Sequence, residues 1–122
     1  MRPVVHAHAA NGAKAAIRAR CGTIEHGTLI DDETIELMAQ RGTYYDPTLL
    51  IQHYVLDNKP KFLGFGNYTE QGFSYTEKAV TQVNQVLRKA ITRKVKIVLG
   101  TDSDAGALRQ NAQGLGRQGP SF

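Results

Sequence analysis

Three short apolar segments end on side chains able to bind metal, and that pattern narrows the folds open to this chain. They are Pro3-Val4-Val5-His6-Ala7-His8, Thr23-Ile24-Glu25-His26, and Val95-Lys96-Ile97-Val98-Leu99-Gly100-Thr101-Asp102. Continuous apolar runs with β-branched residues are how buried parallel strands read. Pro3 falls at a strand start, where a missing N–H is tolerated. The twenty residues from His6 to His26 make one βα repeat. That spacing predicts two imidazoles on neighbouring strands at the same height.

The intervening stretches read as helices. Residues 12–20 place Ala13, Ala16 and Ile17 on one face, with Lys14 and Arg18 turned to solvent, Asn11 as the cap and Gly22 beyond the end. Asp31 caps a second helix, Asp32–Arg41, which carries acidic residues in its first turn, Arg41 in its last, and Gly42 as its stop. Residues 43–46 read as a strand halted by Pro47. Residues 49–74 hold Pro60 and glycines at 64, 66 and 72 among several aromatics, and read as a long lid or binding loop. A helix capped by Thr76 then runs over residues 77–94, with Ala79, Val83, Val86, Leu87, Ala90 and Ile91 as its apolar stripe. Residues 95–99 complete a set of four strands.

Alternation of this kind implies an α/β fold built from about four parallel βα units with right-handed crossovers. The glycine- and glutamine-rich residues 103–122 make at best a short helix near residues 107–113. A domain over residues 1–111 and a disordered tail over residues 112–122 follow.

Composition excludes several classes. With 41% hydrophobic and 21% charged residues in 122, the chain is globular and has room for one modest domain. No apolar run approaches the roughly 18 residues of a membrane span, and Met1-Arg2 leads straight into a strand rather than a signal peptide. Cys21 is the only cysteine, which suits a reducing, cytoplasmic setting and a small buried residue at a helix-to-strand turn. The net charge of +4 is scattered, with no aromatic residues interleaved among Arg88, Lys89, Arg93 and Lys94, so neither nucleic acid nor membrane is an expected partner.

In parallel α/β layouts, active sites collect at the C-terminal ends of strands. His6, His26 and Asp102 fall there, with Asp46 as a weaker fourth. Imidazole nitrogens and a carboxylate oxygen suit zinc or another divalent first-row metal. A carboxylate so placed can bind the metal and also accept a proton from water. The bland alternative for each strand-end histidine alone is a hydrogen-bonded structural residue.

These segments, together with Gly42-Thr43-Tyr44, Pro47-Thr48-Leu49 and Gly100-Thr101-Asp102, resemble the amidohydrolase superfamily, in its imidazolonepropionase-like and prolidase-like dipeptidase branch. The resemblance runs to about Asn111. It implies a (β/α)8 barrel, with this chain supplying strands five to eight. It also implies His6 and His26 as the metal ligands of strands five and six, and Asp102 as the strand-eight carboxylate that binds metal and carries the proton. His8 reads as a residue behind the ligands or against the substrate, and as a ligand only secondarily. Tyr44 and His53 are further substrate-facing candidates; Tyr44 and Tyr45 alternate faces, so at most one of them meets the site.

The family's strand-one His-x-His pair and strand-four lysine have no counterpart in these residues, and a barrel takes about 250 residues. Two functions follow as expectations. One is the C-terminal part of a metal-dependent hydrolase of C–N bonds in a small amide, peptide or cyclic amide. The other is a non-catalytic truncated or split-gene module acting through another chain. A separate N-terminal barrel half or a second copy is the expected partner for its open edges.

Overall fold

The computed structural model describes residues 1–102. The expectations placed on residues 103–122, including the tail boundary, lie outside the described residues. Strands β1 (Val4–Ala9), β2 (Thr23–Leu29) and β3 (Tyr44–Asp46) form a parallel sheet in the order β1-β2-β3. Helices α1 (Ala10–Arg18) and α2 (Asp32–Arg41) connect them. After β3 come α3 (Leu49–Asp57), the single turn α4 (Lys59–Phe62) and the long α5 (Glu70–Thr92).

The predicted fourth strand is reduced to one parallel bridge, Tyr45 with Ile97. Tyr45 N–H donates to the Lys96 carbonyl at 2.8 Å, and Val98 N–H donates to the Tyr45 carbonyl at 2.9 Å. The ladder stops there for two reasons. Pro47 has no N–H to offer the next rung, and the Gly100 N–H donates to the Asp46 carboxylate instead of to backbone.

Four other expectations are corrected. Asn11 lies inside α1, whose cap is Ala9 with no side-chain acceptor. Lys14 does not face solvent: it is 9% exposed, its ammonium held between Asp31 at 2.8 Å and Glu33 at 2.5 Å. Pairing with the acidic start of α2 therefore offsets the cost of drawing the lysine ammonium out of water. Residues 49–74 are largely helical rather than a loop. Leu49, Leu50, Tyr54 and Val55 are all buried, so α3 is covered on more than one side and shows no clean 3.6-residue stripe. Helix α5 starts at Glu70, capped by the Thr69 hydroxyl, which accepts from Gly72 N–H at 3.0 Å. Gly72 is there because a Cβ would come 2.7 Å from the Asn67 carbonyl oxygen, not because it breaks a helix.

The core lies on one face of the sheet. Ile24 and Tyr45 meet Ala13 and Ile17 of α1, Ile35 and Met38 of α2, and Val83, Leu87 and Ala90 of α5. Cys21 is buried in the same cluster. On β1, Val5 and Ala7 turn to the core while Val4, His6 and His8 stay exposed on the opposite face. Among the described residues, no helix is long and apolar enough to cross a membrane.

The Lys14 cluster has a pH signature. The Lys14 ammonium, with the Thr34 donors, holds the Asp31 carboxyl well below its ordinary value of 3.8. A depressed folded value means the stabilisation is present above the unfolded value and is lost as pH falls through the folded one. Asp31→Asn keeps a capping oxygen but removes the charge. It lowers the melting temperature by a few degrees at neutral pH, and thermal melts show this gap shrinking by about pH 3.

Candidate metal centre

On a regular strand His26 would share the face of Ile24, which is the helix-packed face. Its register partner is Ala7, not His6. The structure avoids that outcome by a left-handed turn, φ 66° at His26 and 52° at Gly27, accompanied by a register irregularity between Ala7 and Ala9. The turn brings the His26 ring to the rim of the sheet, 4.4 Å from the His6 ring and 4.8 Å from the His8 ring between centroids. His6 and His8, two apart on β1, are 4.9 Å from each other.

Tyr45 supports the turn. It is fully buried, its hydroxyl donates to the His26 carbonyl at 3.0 Å, and its ring edge occupies the space a side chain at Gly27 would need. A Cβ there would lie 2.7 Å from Tyr45 Cε2. Burial raises the phenol's pKa far above its ordinary value, so the hydroxyl remains a donor.

The three imidazoles each offer a ligand nitrogen, and these atoms all lie within 4.8 Å of one another. Two of the rings are oriented by hydroxyls: His26 Nδ1 lies 2.7 Å from Thr48 Oγ1, and His8 Nδ1 lies 3.1 Å from Thr28 Oγ1. With Nδ1 occupied in this way, Nε2 is the nitrogen left to coordinate. Burial, followed by the neighbouring histidines, pushes the pKa of His26 down, while Asp102 opposes the shift. Burial and then His6 lower that of His8. Both rings are therefore held neutral, the form a metal requires. The nitrogen set and its spacing fit a divalent first-row cation.

The sequence candidates are placed unequally. His6, His8 and His26 come together, with His8 4.9 Å and 4.8 Å from the other two rings and its ligand nitrogen within the same group. Asp102, with φ 48°, stands on the wall of the same cavity but outside the three-nitrogen group. Tyr44 is 40% exposed beneath the Lys96 ammonium, which lies 5.3 Å from its ring centre. His53 sits on α3, and neither it nor Tyr44 lines the cavity. The cavity, about 540 Å³, is closed from the other side by α3 and α5 through Ile51, Gln52, Tyr75, Lys78 and Ala79. In sequence, residues 49–74 read as a lid or binding loop and Ala79 as part of a helical stripe, and Ile51, Gln52, Tyr75 and Lys78 are not singled out as site residues. The Gln52 Oε1 atom is buried with no hydrogen-bond partner among the described residues.

Comparison with known proteins gives the class. The Amidohydrolase family model matches residues 1–117, and the chain belongs to that family. It is 29% identical over 101 residues to ochratoxinase of Aspergillus niger, covering 83% of this chain and 20% of that protein. Among solved structures, a Xaa-Pro dipeptidase with methionine bound in its active site is 32% identical with a TM-score of 0.73, over 98% of this chain and 29% of that one. An amidohydrolase is 26% identical with a TM-score of 0.80, over 94% and 27% respectively. The chain thus spans between a fifth and a third of the length of these relatives. An α/β layout with a three-stranded parallel sheet is consistent with part of a TIM barrel.

Gly27→Ala tests the support of the turn. A side chain in the left-handed region against the Tyr45 ring is expected to lower stability by about 1–3 kcal/mol, read from denaturant melts. Tyr45→Phe, which takes the donor from the His26 carbonyl, costs about 1–3 kcal/mol if that carbonyl stays dry.

Proposed function

We propose that this chain carries part of the active site of a metal-dependent hydrolase that cleaves C–N bonds in a small amide or peptide. The observation that carries this is the cluster of three imidazoles, two on β1 and one at the left-handed turn in β2, opening into a cavity walled by apolar and polar groups. In this reading β1, β2, β3 and the Ile97 segment are barrel strands five to eight. His6 and His26 hold the cation, with His8 available beside them and Asp102 facing it across the cavity. Zinc is the metal that the donor set suits best. A bound divalent cation would supply polarisation of the substrate carbonyl and acidification of water.

The chain's own residues do the rest. The Asp102 carboxylate takes a proton from the attacking water as the C–O bond forms, then delivers it to the nitrogen as the C–N bond breaks. The α3 and α5 wall holds the substrate. Lys78 on that wall suits a carboxylate on the substrate, a group that the methionine bound in the active site of the dipeptidase relative carries. The free edge and exposed face of β1, where Val4 is 58% exposed, suit pairing with further barrel strands from another chain or a second copy.

Two measurements test the reading. Metal analysis of the purified chain should return zinc in stoichiometric amount, and an amidase or dipeptidase assay should lose activity about 10²–10⁴-fold in Asp102→Asn. Metal-free, inactive protein would sink it. Lys78→Met should raise KM for substrates bearing a carboxylate by about tenfold, the scale of one charge-assisted contact. It should leave KM for the corresponding amides unchanged.

A further inference from the structure

The loop after β3 and the segment that leads to Asp102 are joined by one carboxylate oxygen. Asp46, buried at the end of β3, accepts through the same Oδ1 from Thr48 N–H at 3.2 Å and from Gly100 N–H at 3.0 Å. Thr48 in turn places its hydroxyl 2.7 Å from His26 Nδ1. Asp102 follows Gly100 by two residues.

Both arms show the marks of a constrained arrangement. Thr48 is 2% exposed and lies in the left-handed region at φ 45°, which a β-branched residue adopts only when its surroundings hold it there. At the other arm the approach is so close that a Cβ on Gly100 would fall on the Asp46 carboxylate. Among the described residues Asp46 is not one of the clustered ligands.

We infer that Asp46 is a positioning residue. It clasps the Thr48 loop to the Gly100 segment, and so fixes the ring orientation of His26 on one side and the backbone leading to Asp102 on the other. Because its role is defined relative to the metal centre, the inference rests on the reading above. Its geometry, though, is set by Asp46, Thr48 and Gly100 themselves. Among the described residues Asp46 is neither in the ligand cluster nor on the cavity wall, and it acts through Thr48 and Gly100. The neutral amide of Asn could do the same work, since each arm needs an acceptor oxygen rather than a charge.

The test uses the 122-residue chain without metal and then with zinc. In the metal-free protein, imidazole nitrogen NMR should show His26 in one fixed tautomer, and amide exchange should show protected Thr48 and Gly100 N–H groups. Asp46→Ala should expose both amides and let His26 average between tautomers. Thr48→Val, nearly isosteric, should release His26 but leave the Gly100 amide protected. Asp46→Asn and Thr48→Ser should behave as wild type. Zinc titration should then show affinity lowered about 10–100-fold in Asp46→Ala and Thr48→Val, the scale for losing an orienting partner of a ligand.

If Asp46→Ala and Thr48→Val, folded by circular dichroism, keep the His26 tautomer and the zinc affinity of wild type, the clasp is overturned. If wild type binds no zinc while Asp46→Ala still frees His26 and Gly100, the clasp stands and the metal reading falls.

Discussion

Tyr45 lies at the point where the sheet, the core and the candidate site meet. Its backbone forms the single bridge to Ile97, its ring is fully buried among the residues packed by α1, α2 and α5, and its hydroxyl holds the His26 carbonyl. The left-handed turn at His26 and Gly27 depends on all three. Without that turn, a strand of period two would send the His26 side chain to the helix-packed face. The three-imidazole cluster is thus a consequence of a local break in β-geometry that the core stabilises, and not of strand register alone.

A second layer of order follows from the polar groups behind the rings. Thr28 and Thr48 occupy one nitrogen each of His8 and His26, and Asp46 ties Thr48 to the Gly100 segment. Burial favours neutral forms of both these histidines. Burial also raises the pKa of Asp46, with the Asp102 charge adding to it and the two amide donors opposing. Neutral nitrogen donors with fixed second partners are the condition for an ordered metal site.

Much of this was legible in the residues. Asp31 and Gly42 bound α2 as read, because caps act through local hydrogen bonds that a few neighbouring residues determine. The β1 and β2 segments were plain from their β-branched runs. What misled were residues whose partners are distant. Lys14 looked solvated until the acidic start of α2 came beside it. Gly72 looked like a loop residue, although a nearby carbonyl explains it. The α3 segment lacked a stripe because more than one of its sides is covered.

By itself, the sequence determined the α/β alternation, the membership of the amidohydrolase family, and the histidines and carboxylate from which a site could be built. The alternation and the candidate residues follow from local periodicity and residue type, and the family from the match of motifs along the chain. Only the tertiary structure decided that His8 joins His6 and His26 at equal range, that α3 and α5 wall the cavity, and that Asp46 fastens two loops. Side-chain direction at a left-handed turn and the sharing of one buried oxygen depend on groups twenty to fifty-odd residues apart. No window of sequence contains both partners, so the fold alone could bring them together.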